Sequence, residues 1–296
     1  MQIPVKCELC PRRCKQDRNK NKGLCGAGSS VRVARAALHF WEEPCISGTK
    51  GSGAVFFSGC SLGCCYCQNY RISVENFGKD ISCDKLAEIF CRLEDEGAHN
   101  INLVTATPYL PWVLEALNKA NVKIPIVYNT SGYETIESLE LLRGVVDIWL
   151  ADLKYVSSDL SYEYSRAADY FTVASAAIKM MANMVGKPII GEDGIMKSGL
   201  IVRHLALPNH TDDSIAVLRW LNSELGNDAF ILSIMSQYTP FYKANEHKKL
   251  SRRISTYEYK KVVNEAIDLG LNNGYMQAKS SAKEEYTPDF TLEGVE

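Results

Sequence analysis

Six short apolar runs rich in β-branched and aromatic residues recur along the chain: AVFFSGC from Ala54, INLVTAT from Ile101, IPIVYNT from Ile124, VDIWLADLK from Val146, LIVRHLAL from Leu200 and AFILSIM from Ala229. Both faces of such strands are apolar, the pattern of a parallel sheet covered by helices. Helical periodicity fills the gaps. Leu86, Ile89, Phe90 and Leu93 follow the i, i+3, i+4, i+7 rule, with Gly97 where that helix should stop. Ser255 and Glu258 form an S-x-x-E capping box ahead of an apolar stripe of Tyr259, Val262, Val263 and Ala266. No Pro/Gly/Ser-rich linker interrupts Ala54 to Gly270, so the βαβα order predicts one α/β unit, a partial TIM-type (β/α)6 barrel over residues 51–277. Residues 1–50 read as a small cysteine-rich, metal-binding extension. Residues 278–296 are polar and Pro-interrupted and read as an extended tail or flap.

With 46% apolar residues in 296, the chain can bury a sizeable core. A formal charge of -2 argues against a protein that blankets nucleic acid. The amino terminus shows no leader-like apolar core, and no run of about 18 apolar residues occurs, so neither a membrane partner nor export is expected and the chain reads as cytoplasmic. In that compartment its eleven cysteines are expected to ligate metal rather than pair as disulfides.

CSLGCCYCQN, starting at Cys60, directly follows the first run, at the strand end where barrels bind ligands. Cys60, Cys64 and Cys67 can hold three irons of a [4Fe-4S] cubane and leave the fourth open, and an open iron implies chemistry. A zinc site recruiting Cys65 is the other reading, although x3 then x2 spacing fits no common zinc pattern. Cys65 adjoins Cys64, so its side chain should point elsewhere.

These residues resemble the radical S-adenosylmethionine superfamily, whose signature C-x3-C-x-aromatic-C is matched by Cys60, Cys64, Tyr66 and Cys67. The likeness extends to pyruvate formate-lyase activating enzymes, which act on glycyl radical enzymes, and to their relatives with an N-terminal four-cysteine box. GSGAVFFSGC, NTSGY, DLK and IVRHLALP match that family's motifs in order, across about Gly51 to Tyr238. The resemblance implies a [4Fe-4S] cluster with S-adenosylmethionine on its open iron, cleaved reductively to a 5'-deoxyadenosyl radical that abstracts a hydrogen atom. It places Tyr66 near the adenine, Asn129 and Ser131 near the ribose or methionyl end, and Asp152, Lys154 and Arg203 near the amine, carboxylate or hydroxyls. Asp152 with Lys154 could instead be a strand-end ion pair, and Arg203 a structural salt bridge. Where the activating enzymes carry a Gly-Gly-Glu-type turn, this chain reads TATP, whose Thr105 and Thr107 could still meet the methionyl amine. Asn129 replaces a usual carboxylate, and Tyr238 stands where a histidine is expected. The implied substrate is the glycine of a glycyl radical enzyme, with a peptide or small molecule as alternatives. A catalytically silent, metal-stabilised binding protein is the reading from another class.

CELCPRRC and KGLCGAG place Cys7, Cys10, Cys14 and Cys25 ahead of the barrel. Four thiolates suit either a closed zinc site or an auxiliary [4Fe-4S] cluster. Between Arg12 and Lys22 lie six basic residues and one acidic residue, which reads either as a solvated loop or as a dock for an electron donor such as flavodoxin or ferredoxin. Cys83 and Cys91 are expected on one helix. Cys45 reads as a packing thiol, with a ligand or radical-site role as the alternative.

Overall fold

The computed structural model describes residues 3–277 and 288–296. The chain runs through β1 (Val31–His39), α1 (Pro44–Ser47), β2 (Ser52–Phe57), α2 (Tyr70–Ser73) and β3 (Lys79–Ile81). Strands and helices then alternate: α3 (Cys83–Asp95), β4 (Ile101–Val104), α4 (Leu110–Ala120), β5 (Ile126–Thr130), α5 (Ile136–Glu140) and β6 (Ile148–Asp152). After α6 (Ser158–Ser165) and α7 (Tyr170–Val185) come β7 (Ile189–Ile190), β8 (Met196–Leu205), α8 (Thr211–Glu224), β9 (Ile231–Met235), α9 (Thr256–Asp268) and β10 (Gly274–Met276).

One sheet carries the strands in the order β10-β9-β8-β6-β5-β4-β2-β1-β3, with β7 off this path as a hairpin partner of β8. From β10 to β2 every pairing is parallel, whereas β1 runs antiparallel to both β2 and β3. The six expected strands are all present, and the sheet is an open, parallel-dominated barrel segment. It is longer than six strands because β10 adds a further parallel member beyond β9 and the extension contributes β1. Every residue of β2 and β4 is buried, as a strand covered on both faces requires. In α3, Leu86, Ile89, Phe90 and Leu93 are buried, and the cap is Ser82, whose hydroxyl accepts from the Lys85 amide. The Ser255/Glu258 capping box forms as the spacing predicts.

Residues 288–296 are docked. The Leu292 amide donates to the Ala34 carbonyl, and the Ala36 amide donates to the Glu293 carbonyl, so this segment lies along β1. Gly294, at φ +70, comes so close that a Cβ there would stand 2.0 Å from the Ala36 carbonyl oxygen. Phe290 packs edge-on against Phe56 of β2, centroids 5.6 Å apart. The rest of the expected flap, residues 278–287, lies outside the described residues.

Candidate active site

Parallel strands joined by helices bring their carboxyl ends to one edge, and there the structure opens a cavity of about 350 Å³. Cys60, Cys64 and Cys67 line it from the loop after β2. Tyr66 lines it as well, whereas Cys65 is absent from the wall, because its amide donates to the Tyr164 carbonyl and its carbonyl accepts from the Lys243 amide. The Leu62 amide reaches the Cys60 sulfur at 3.4 Å, the Ser165 hydroxyl reaches Cys64 at 3.0 Å, and the Ser73 hydroxyl lies 3.2 Å from Cys67. Such donors suit thiolates. Burial pushes the Cys67 thiol up to about 12 and raises that of Cys64, so without a metal both stay protonated and ligation must displace those protons.

The opposite wall comes from the ends of β4, β5, β6 and β8. Thr105, Asn129, Ser131, Asp152, Lys154 and Arg203 all line the cavity. Thr107 does not: its hydroxyl donates to Glu134 and accepts from Tyr128, inside the protein. Thr105 is held at φ +61, a strained conformation for a β-branched residue. The Tyr170 hydroxyl donates to the Ser131 and Asp152 carbonyls and accepts from the Lys154 amide, which stitches two strand ends together. Gly132, at φ +77, lets them meet, since a Cβ there would lie 2.3 Å from the Asp152 carbonyl oxygen. Lys154 and Asp152 are ion-paired at 2.5 Å. Burial alone would lower the Lys154 pKa, but the Asp152 carboxylate raises it, so the ammonium stays charged.

Arg203 makes a buried salt-bridge network. Its Nε donates to Glu43 at 2.8 Å, and its Nη2 bonds both Glu43 and Glu42. Glu42 also accepts from Asn129 at 3.2 Å and from Asn102 at 2.9 Å. Both acids line the cavity from the segment between β1 and α1. Sequence reading missed them, although two acidic residues ahead of Pro44 were there to see. Tyr238 donates to the Leu250 carbonyl and meets the Tyr66 ring edge-on, so its hydroxyl is used structurally. Tyr66 itself is held through its hydroxyl by Tyr155. Cys45 is buried among Ile46, Ile148 and Ile201 in a small core cluster, a packing thiol.

Cys7, Cys10, Cys14 and Cys25 come together around a second, much smaller cavity, also lined by Arg12, Arg18 and Ser61. Arg12 donates to the Ser61 and Ser165 carbonyls and Arg18 is buried, so two of the six basic residues expected to face a donor turn inward. Arg13, Lys15, Lys20 and Lys22 remain exposed.

The model of the Radical SAM superfamily matches residues 54–221, and the chain belongs to that superfamily. An uncharacterized protein of Methanocaldococcus jannaschii is 30% identical over 276 residues, covering 90% of this chain and 75% of the relative. Among solved structures, Streptococcus suis SuiB bound to the precursor peptide SuiA superposes with a TM-score of 0.49 at 12% identity, covering 74% of this chain and 46% of SuiB. Methylornithine synthase (PylB) gives a TM-score of 0.45 at 13% identity, over 70% of this chain and 59% of that one. The chain thus spans about half the length of these structures. Membership implies a [4Fe-4S] cluster and S-adenosylmethionine. The residues present fit both: three thiols with hydroxyl and amide donors share one cavity with strand-end hydroxyl, amide, carboxylate and ammonium groups. Among the described residues no helix is long and apolar enough to cross a membrane.

Proposed function

We propose that this chain cleaves S-adenosylmethionine reductively and directs the product radical at a C–H bond of a small or narrow substrate seated in the same cavity. The observation that carries this reading is the shared cavity, lined by Cys60, Cys64 and Cys67 on one side and by Asn129, Ser131, Asp152 and Lys154 on the other. When bound, cluster and S-adenosylmethionine together supply a 5'-deoxyadenosyl radical. The chain's residues bind, orient and exclude water. Cys60, Cys64 and Cys67 would hold three irons. The Asp152 carboxylate and the Thr105 carbonyl would accept from the methionyl amine, Lys154 would meet the carboxylate, and Asn129 and Ser131 would bond the ribose hydroxyls. Tyr66, locked by Tyr155, would offer its ring to the adenine.

The substrate reading rests on the cavity's outer wall. Pro288 lines it, held by the Phe290 contact with Phe56, and Tyr275 and Gln277 of the β10 end line it as well. A wall built by the docked carboxyl-terminal segment supports a small or narrow substrate over the broad loop of a glycyl radical enzyme. The exposed Arg13, Lys15, Lys20 and Lys22 would receive an acidic electron donor such as flavodoxin or ferredoxin. The test adds cell extract, split by ultrafiltration into small-molecule and macromolecular fractions, to reduced enzyme with S-adenosylmethionine. The small-molecule fraction is expected to raise 5'-deoxyadenosine output above the substrate-free rate. Stimulation by the macromolecular fraction alone would move the substrate to a protein.

A further inference from the structure

The side-chain charges lining the main cavity do not balance. Among the described residues its wall carries three carboxylates, Glu42, Glu43 and Asp152, against two cations, Lys154 and Arg203. Asp152 and Lys154 pair with each other, which leaves one guanidinium to face two glutamates. Arg203 grips Glu43 through both Nε and Nη2 and reaches Glu42 through Nη2 alone. The other Glu42 oxygen is held only by neutral amides, from Asn102 at 2.9 Å and Asn129 at 3.2 Å. The two glutamate side chains are 8% and 6% exposed. His39 lines the same cavity but is kept neutral, because burial lowers its pKa. A buried carboxylate without a cation of its own is strongly disfavoured, and no third cation lines the cavity among the described residues.

An independent observation points the same way. Asn102 is fully buried on β4, on the strand face it shares with Val104 of the cavity wall, and its side-chain oxygen has no hydrogen-bond partner. That oxygen belongs to the very amide that holds Glu42, so an unpartnered acceptor and an excess carboxylate lie side by side. Buried acceptors of this kind are rare in native proteins and require a donor. Water satisfies an oxygen but brings no charge, whereas an ammonium group answers both needs. Trp41, exposed and one residue before Glu42, lines the same cavity and offers the aromatic face against which cations pack. We propose that the substrate carries a primary ammonium group, which docks on Glu42 beside Asn102. This substrate class rests on the reading that one cavity holds both S-adenosylmethionine and substrate.

The experiment uses the full chain, reconstituted without oxygen and loaded with S-adenosylmethionine but no reductant. Three probes of one size, n-butylammonium, butyrate and n-butanol, are titrated at matched ionic strength, and binding is followed by saturation-transfer NMR. The parent is expected to bind n-butylammonium about ten-fold more tightly than either of the others, and Glu42→Gln to lose that preference. Equal binding of the three probes by the parent, a preference for butyrate or butanol, or a preference for n-butylammonium that survives in Glu42→Gln would overturn the proposal. So would loss of the parent's preference when potassium replaces sodium in the buffer, which would give Glu42 to a metal ion instead. The parent's choice among the probes decides even if Glu42→Gln fails to fold. Reductant is then added to the parent samples and 5'-deoxyadenosine is measured, which separates the two levels of the account. Product without an ammonium preference sinks the substrate class alone, whereas no product sinks the cleavage reading and the substrate class with it.

Discussion

Replacing Arg203 with methionine should unbalance the cavity wall and reverse its response to pH. The guanidinium compensates Glu42 and Glu43, both buried, and burial alone would raise the Glu43 pKa, yet Arg203 outweighs it and holds that pKa down. Removing one partner of a buried ion pair costs about 3–5 kcal/mol, because the other charge stays buried and unpaired. At roughly 2.1 cal/mol/K per residue, a chain of 296 residues has an unfolding entropy of about 0.6 kcal/mol/K, so the melting midpoint should fall by about 5–8 °C at pH 8. The sign of the pH effect follows from linkage. In the parent, Glu43 has a depressed folded pKa, so its contribution is present above the unfolded carboxylate pKa and is lost as pH falls through the folded value. In Arg203→Met the largest opposing influence is gone and only hydrogen bonds such as that from Ser233 still favour the carboxylate, so desolvation is expected to raise the folded pKa and stability to be lost as pH rises instead. Differential scanning fluorimetry under anaerobic conditions at pH 5 and pH 8 should show a clearly smaller deficit at pH 5. Adding Glu42→Gln and Glu43→Gln should recover at least half of the loss at pH 8. A deficit under about 2 °C, or one equal at both pH values, would refute the reasoning.

Two further predictions concern the ends of β5 and β6. Glu134 is buried with Thr107 and Thr130 as hydroxyl donors, and burial raises its pKa from 4.5 to about 7. A raised folded pKa means that stability falls as pH climbs from the ordinary carboxylate range through 7, so Glu134→Gln should gain up to about 3 kcal/mol at pH 8 and little at pH 5 in urea titrations. Equal effects at the two pH values would assign the change to packing. Gly132→Ala meets both a positive φ and the Asp152 carbonyl, so it should cost roughly 1–3 kcal/mol and displace Asp152. The check is isothermal titration of S-adenosylmethionine, which should weaken several-fold, and unchanged affinity would detach Asp152 from the binding site.

Much of the fold was legible because the parallel strands are short apolar runs whose burial on both faces leaves a plain signature. β1 escaped because Arg32 and Arg35 interrupt its apolar pattern, and β10 because Gly-Tyr-Met is too short to carry a period. The docking of residues 288–296 was hidden for another reason: it depends on Gly294 and two backbone hydrogen bonds to β1, which leave no compositional trace. In the site, the cysteine spacing pointed to Cys60, Cys64 and Cys67, and the family resemblance together with the strand-end positions pointed to Asn129, Ser131, Asp152 and Lys154, all of which line one cavity. Thr107 was misplaced because the turn after β4 directs it toward Glu134. Glu42 and Glu43 reach the cavity only through the antiparallel placement of β1, a tertiary fact that no local pattern encodes. Arg18 and Arg12 belong to a basic run that reads as a solvated loop or an electron-donor dock, and only burial separates them from Arg13 and Lys15.

The central claim is that Cys60, Cys64 and Cys67, and not Cys65, carry the chemistry. The most direct test reconstitutes the parent, each single alanine variant of the triplet and Cys65→Ala without oxygen, adds S-adenosylmethionine and a strong reductant, and quantifies 5'-deoxyadenosine by liquid chromatography. The account predicts product from the parent and from Cys65→Ala, and none above background from any of the other three. Equal loss in Cys65→Ala, or no product from a parent with its cluster intact, would contradict it.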